Sequence, residues 1–165
     1  MSEFTIQEFV QYGLKRDVKE LIPPGKTQLE LGPGNTPIVG CHYLELPDWN
    51  GDTDGIPYQD NYFDTVWAIH FLEHLKTPVK VLREIQRVLR PGGTANIVVP
   101  HHTAEIAYHD LDHKCFFNEQ TWKHLFENDW YSKEHHNWEF DIHVNFVFAV
   151  VQRNTCVFTQ LIKRV

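Results

Sequence analysis

The sequence is short of positive charge: 15 Lys and Arg stand against 22 Asp and Glu, a net charge of −7 with His neutral. A general grip on nucleic acid or on an anionic membrane needs a basic face, so neither partner is expected. Between residues 41 and 64 there is no Lys or Arg at all. Cysteine is scarce too. Cys41, Cys115 and Cys156 are odd in number and lack metal-like spacing, which points to reduced thiols in a cytoplasmic protein. Long apolar runs are missing: Phe146 to Val151 is the longest, far too short to span a bilayer. Met1-Ser-Glu-Phe-Thr5 has neither the basic nor the apolar region of a secretory signal. There is no internal repeat, low-complexity segment or linker. What remains is 165 residues, 42% of them hydrophobic, enough for one folded domain over residues 1–165.

The chain is organised around Lys26-Thr-Gln-Leu-Glu-Leu-Gly-Pro-Gly-Asn35. Thr27 to Leu31 reads as a short buried parallel strand. Glu30 stands at its carboxyl end, where open α/β sheets bind their ligands. Gly32 and Gly34 follow, and a residue without Cβ lets backbone approach a ligand closely. Upstream, Thr5-x-x-Glu8 has the form of a capping box, and Ile6, Phe9, Val10, Leu14, Val18, Leu21 and Ile22 give helical apolar faces up to Pro23-Pro24-Gly25. Downstream, Cys41 to Leu46 is a second strand. Only nine residues, Gly32 to Gly40, separate the two strands, too few for the usual crossover helix. Cover for one sheet face then falls to the N-terminal helices or to a second subunit, and a homodimer is expected.

Phe63 to Ile69 reads as a third strand with His70 at its end. Thr77-Pro78 places a capping residue before a helix whose Val81, Leu82, Ile85, Val88 and Leu89 recur at helical spacing. Pro91-Gly92-Gly93 ends it, and Ala95 to Pro100 is a fourth strand, completing a β-α-β unit. Asn118 caps a helix to about Glu127. Phe140 to Arg153 alternates as a long strand, with Ile142, Val144, Phe146 and Phe148 on one face. Asn154-Thr155 reads as a turn and Cys156 to Lys163 as the last strand. The fold class is α/β: a Rossmann-like, mostly parallel sheet with helices and a C-terminal antiparallel strand pair.

As an ordered set, residues 26 to 100 resemble the class I S-adenosylmethionine-dependent methyltransferases, in particular small single-domain members. In that family the first strand ends in an acid followed by Gly-x-Gly, matched here by Glu30, Gly32 and Gly34. The resemblance implies S-adenosyl-L-methionine as cofactor, with Glu45 on its ribose and Asp48 as the substitute. It places Gly51-Asp-Thr-Asp-Gly-Ile-Pro-Tyr58 at the adenine, where Asp52 accepts from the amino group, Ile56 packs on the ring and Thr53 lies beside them. His70 completes the implied cofactor set. Leu72-Glu-His74 and Arg87-Val-Leu-Arg-Pro-Gly-Gly93 resemble the family's downstream pieces. Helices are missing or minimal before the second strand and between Glu45 and Gly51, so this is a trimmed class I methyltransferase fold. The chemistry agrees: ribose hydroxyls and an adenine amino group are donors that carboxylates accept, and a sulfonium favours an acidic cleft.

The chain carries eleven histidines, several of them next to acids. His109-Asp-Leu-Asp-His113 has the spacing of a metal pair if helical, but Asp110, Leu111 and Asp112 also suit a turn, and no bound metal is expected. His70, His101, Asp112 and His113 are candidates for deprotonating an acceptor hydroxyl or amine. Alternatively they only shape the pocket, since methyl transfer can rest on positioning. Glu73 and His74 read as structural, and Trp122, Trp130 and Trp138 as core or interface. The leading expectation is methyl transfer to an oxygen or nitrogen of a small molecule or glycan. A non-catalytic cofactor-binding or scaffold domain and a His-dependent, metal-binding hydrolytic protein stand as alternatives.

Overall fold

The computed structural model describes residues 26–127, 130, 137–151 and 154–165. The helices expected between Thr5 and Ile22 lie outside these residues. Six strands form one sheet in the order β2-β1-β3-β4-β6-β5. They are β1 (Gln28–Leu31), β2 (His42–Leu44), β3 (Phe63–Ile69), β4 (Leu89–Pro100), β5 (Phe140–Val151) and β6 (Asn154–Lys163). Strands β1 to β4 pair in parallel, whereas β6 runs antiparallel to both β4 and β5. Among the described residues the helices are α1 (Pro78–Val88), the single turn α2 (Ile106–His109) and α3 (Glu119–Phe126), with a 3-10 turn at Leu72–His74.

Side-chain alternation assigns the two faces. Leu29, Leu31, Val66, Ala68, Ala95, Ile97, Val99, Val157 and Leu161 meet the apolar stripe of α1 and Trp122, Leu125 and Phe126 of α3 in one core. Trp67, Ile69, Val98, Cys156 and Phe158 turn to the other face, where no residue of a described helix joins their cluster. Among the described residues no helix lies between β1 and β2, as the short spacing requires. Trp122 and Trp138 belong to the core, whereas Trp130 is exposed.

Local details depart from expectation for physical reasons. Thr77 holds the N-cap position of α1 but makes no side-chain cap bond. Asp52 fixes the approach to the helix, its Oδ1 accepting Lys76 N at 2.7 Å and Thr77 N at 3.3 Å. Strand β4 begins at Leu89, directly after α1, because Leu89 pairs with Phe63 before the register shifts around Pro91-Gly92-Gly93. Ile142 does not share a face with Val144, Phe146 and Phe148. The β5–β6 register slips between Ile142 and Val144, and an inserted residue reverses the alternation. Asn154 and Thr155 pair within the sheet and extend β6 rather than forming a turn. Asn118 does cap α3, its Oδ1 accepting Thr121 N at 2.9 Å while its own N donates to Thr121 Oγ1 at 3.2 Å.

Candidate functional site

The carboxyl ends of β1, β2 and β3 open onto a cleft of about 590 Å³. One wall is the loop after β1. Gly32 and Gly34 both have positive φ, 63° and 58°, the left-handed region that glycine enters without strain. They serve differently. A Cβ on Gly32 would lie 2.3 Å from Phe71 Cδ2, so this glycine lets the Phe71 ring pack on the loop. A Cβ on Gly34 would meet nothing within 4 Å. Its backbone borders open space in the cleft.

Glu45 follows β2 and is fixed against that loop. Its Oε2 accepts Gly34 N at 2.6 Å and its Oε1 accepts Leu46 N at 2.8 Å. Glu45 lines the cleft and Asp48 does not. Glu30 does not line it either. It is 1% exposed and its Oε2 accepts Ile38 N at 2.6 Å, so it braces the glycine loop from beneath.

The segment expected at adenine divides. Asp52 lines the cleft while its Oδ1 holds the approach to α1. Thr53 is exposed outside the cleft, its Oγ1 donating to Asp54 Oδ1 at 2.9 Å. Ile56 is in the core, because Glu84 takes its N–H and Arg87 its carbonyl, both at 2.8 Å, and turn its side chain inward. The apolar wall is built by Trp49, Phe71 and Leu75 instead, with the Trp49 and Phe71 rings 5.8 Å apart. Trp49 is set in place by Nε1 donating to Gly55 O at 3.0 Å.

Of the proton-transfer candidates, His70 and Asp112 line the cleft. His70, at φ 51°, has Nδ1 3.2 Å from Glu73 Oε1 and Nε2 4.0 Å from Cys156 Sγ. Burial opposes a charged imidazole there, but the hydrogen bonds to Cys156 and Glu73 and the Glu73 charge outweigh it, raising the His70 pKa to about 9. His101 lies off the cleft, held by Thr103 Oγ1 at 2.7 Å and facing Glu119 Oε2 at 3.4 Å. His113 also lies off it, in an adjoining cavity with Glu73 and His74. Trp49, Asn50, Phe71, His74 and Lys114 line the cleft without having been expected there. Spacing offered a hint only for His74, four residues after His70.

Residues 38–97 match the model of the family described as a methyltransferase domain. Methyltransferase GfsG of Streptomyces halstedii is 47% identical over 51 residues, covering 29% of this chain and 18% of that protein. The chain thus spans under a fifth of that relative's length. A chain from the complex of the Haloferax volcanii Trm112 methyltransferase activator with its methyltransferase superposes with TM-score 0.63 at 15% identity, covering 95% of this chain and 96% of that one. The cyclase SpnF superposes with TM-score 0.63 at 14% identity, over 96% of this chain and 82% of that one. The fold is that of the class I methyltransferases, and the sequence match falls on the segment that builds most of the cleft.

Proposed function

We propose that the chain binds S-adenosyl-L-methionine in this cleft and transfers the methyl group to an oxygen or nitrogen of a small-molecule or glycan acceptor in the cytoplasm. The observation that carries this reading is the joining of the Gly34 backbone, the Glu45 carboxylate and Asp52 around one acidic, aromatic-walled cleft. The residues fit the group. Glu45 is oriented by two backbone N–H donors and keeps lone pairs for ribose hydroxyls. Asp52 accepts from the adenine amino group, and Trp49 and Phe71 flank the base. Bound there, the cofactor would supply an electrophilic methyl on a sulfonium, a cation suited to these carboxylates. Asp112 is placed to accept from an acceptor O–H or N–H and take its proton, and His70, held in its charged form, to orient the acceptor as a hydrogen-bond donor.

Asp52→Asn tests the reading better than an alanine. The amide oxygen still accepts from Lys76 N, so the start of α1 is kept, while a carboxylate acceptor is removed. Affinity for S-adenosylhomocysteine by titration calorimetry is expected to fall by about 1–3 kcal/mol. Unchanged affinity removes the adenine assignment.

A second reading, binding without methyl transfer, is favoured by the trimmed segment between β1 and α1 and by a cyclase on the same fold. Binding with no turnover across oxygen and nitrogen acceptors would establish it.

We also infer a homodimer. Among the described residues no helix lies between β1 and β2, and parallel sheets are normally covered on both faces. Sedimentation equilibrium is expected to give twice the chain mass of 19.5 kDa. A single species at the chain mass refutes it.

A further inference from the structure

We propose that Glu73, His74 and His113 bind one divalent transition-metal ion, zinc in the first instance, in the cavity beside the cleft. One ligand atom from each lies within 4.8 Å of the others. Small side-chain rotations bring such atoms to the ~2.0–2.2 Å at which zinc takes imidazole nitrogen and carboxylate oxygen.

Two features of the side chains point to a cation. Glu73 is 1% exposed, with Oε1 engaged by His70 Nδ1 at 3.2 Å. Its Oε2 is equally buried and has no hydrogen-bond partner among the described residues. A buried carboxylate oxygen without a donor is costly, and a bound cation offsets that cost. The His113 side chain is 6% exposed, and its Nδ1 lies 3.1 Å from Ala107 O. A carbonyl only accepts, so Nδ1 carries the proton and the Nε2 lone pair faces the cavity. This second-sphere bond is the kind that orients metal-binding histidines. Asp110 Oδ2, 3.9 Å from that Nε2, adds negative charge at the rim.

The backbone assembles the trio before any ion arrives. Glu73 and His74 are consecutive on one 3-10 turn. Lys114 N and Cys115 N donate to Glu73 O at 2.7 and 3.1 Å, docking the segment that carries His113. The His74 and His113 rings end 4.7 Å apart. The His109/His113 spacing noted in the sequence is not the site, for α2 ends at His109 and only His113 joins the cluster. Two imidazoles and one carboxylate suit zinc and leave a fourth tetrahedral position. His74 also lines the cleft, so that position faces an oxygen ligand from solvent or acceptor. The inference does not depend on methyl transfer.

The experiment strips the purified chain with a chelator, titrates it with Co²⁺ by visible absorption, and measures zinc retained after dialysis. One ion per chain is expected, with the intense visible bands of a tetrahedral site. His74→Ala and His113→Ala are each expected to abolish retention, and His109→Ala to keep it. His74 is partly exposed, so its variant remains informative if the His113 variant does not fold. Failure of the parent chain to retain zinc, or equal retention by the folded His74 variant, overturns the site. S-adenosylhomocysteine binding to the metal-free chain is a separate readout and tests the cofactor reading alone.

Discussion

Gly34→Val is expected to weaken S-adenosylhomocysteine binding by about 2–3 kcal/mol, roughly 30- to 150-fold, in a chain that still folds. Position 34 has φ 58°, and a β-branched residue in that region costs on the order of 1–3 kcal/mol of stability. No steric clash adds to this, because a Cβ at Gly34 meets nothing within 4 Å. The valine methyls would occupy cleft volume that the ligand needs. They would also disturb the Gly34 N–H that positions Glu45. Gly32 is the informative contrast. There the added carbon lies 2.3 Å from Phe71 Cδ2, so Gly32→Val loses binding by displacing the wall of the cleft and destabilises the chain as well. Calorimetry paired with thermal unfolding separates the two variants. A folded Gly34 variant with normal affinity would take the loop away from the cofactor.

The elements legible in the sequence were those set by local pattern. Phe63 to Ile69 alternates between two buried faces, and Val81, Leu82, Ile85 and Val88 trace one helical stripe. Asn118 has its capping-box partner three residues on. The details that escaped depend on distant residues. The segment leading into Thr77 is held by Asp52, 25 positions away, and Leu89 became a strand residue because Phe63 lies beside it. A bulge in β5, invisible to alternation, reversed Ile142.

The site divides along the same line. Gly32, Gly34 and Glu45 line the cleft because the turns that carry them are local to β1 and β2. Ile56 and Thr53 sit next to Asp52 in sequence, but a side chain's direction depends on what grips its backbone. Glu84 and Arg87 grip Ile56, and Asp54 holds the Thr53 hydroxyl. His101 directly follows β4 and His113 comes after α2, yet Thr103 and Ala107 O hold their rings off the cleft. Alternation and motif spacing encode none of these preferences, whether the group that grips is a neighbour, as for Thr53 and His101, or distant, as for Ile56.

Arg87→Met is expected to destabilise the chain by about 2–3 kcal/mol. One guanidinium ties the loop after Asp52 to α1. Nη2 donates to Ile56 O at 2.8 Å and Glu84 Oε2 at 2.7 Å, while Nη1 donates to Tyr58 O and Asp60 Oδ1, both at 2.8 Å. Nε donates to Glu84 Oε1 at 2.9 Å. Methionine keeps most of the side chain's length but leaves two backbone carbonyls without their donor and Glu84 without its cation. The side chain is 32% exposed, so solvent recovers part of the loss. The acid limb of stability should change too. Hydrogen bonds from Arg87 hold the Glu84 carboxyl below its ordinary 4.5; burial opposes them, and the Ile56 N–H assists. A depressed carboxyl stabilises the fold above its unfolded pKa, and this contribution is lost as pH falls through the folded value. Without Arg87 that depression shrinks, so the variant starts less stable at neutral pH and declines less steeply in acid. Urea unfolding down an acid series measures both effects. The same loop carries Asp52 and, through Gly55 O, the Trp49 indole, so cofactor affinity should fall alongside stability. An unchanged urea midpoint would mean that the cleft wall is anchored elsewhere.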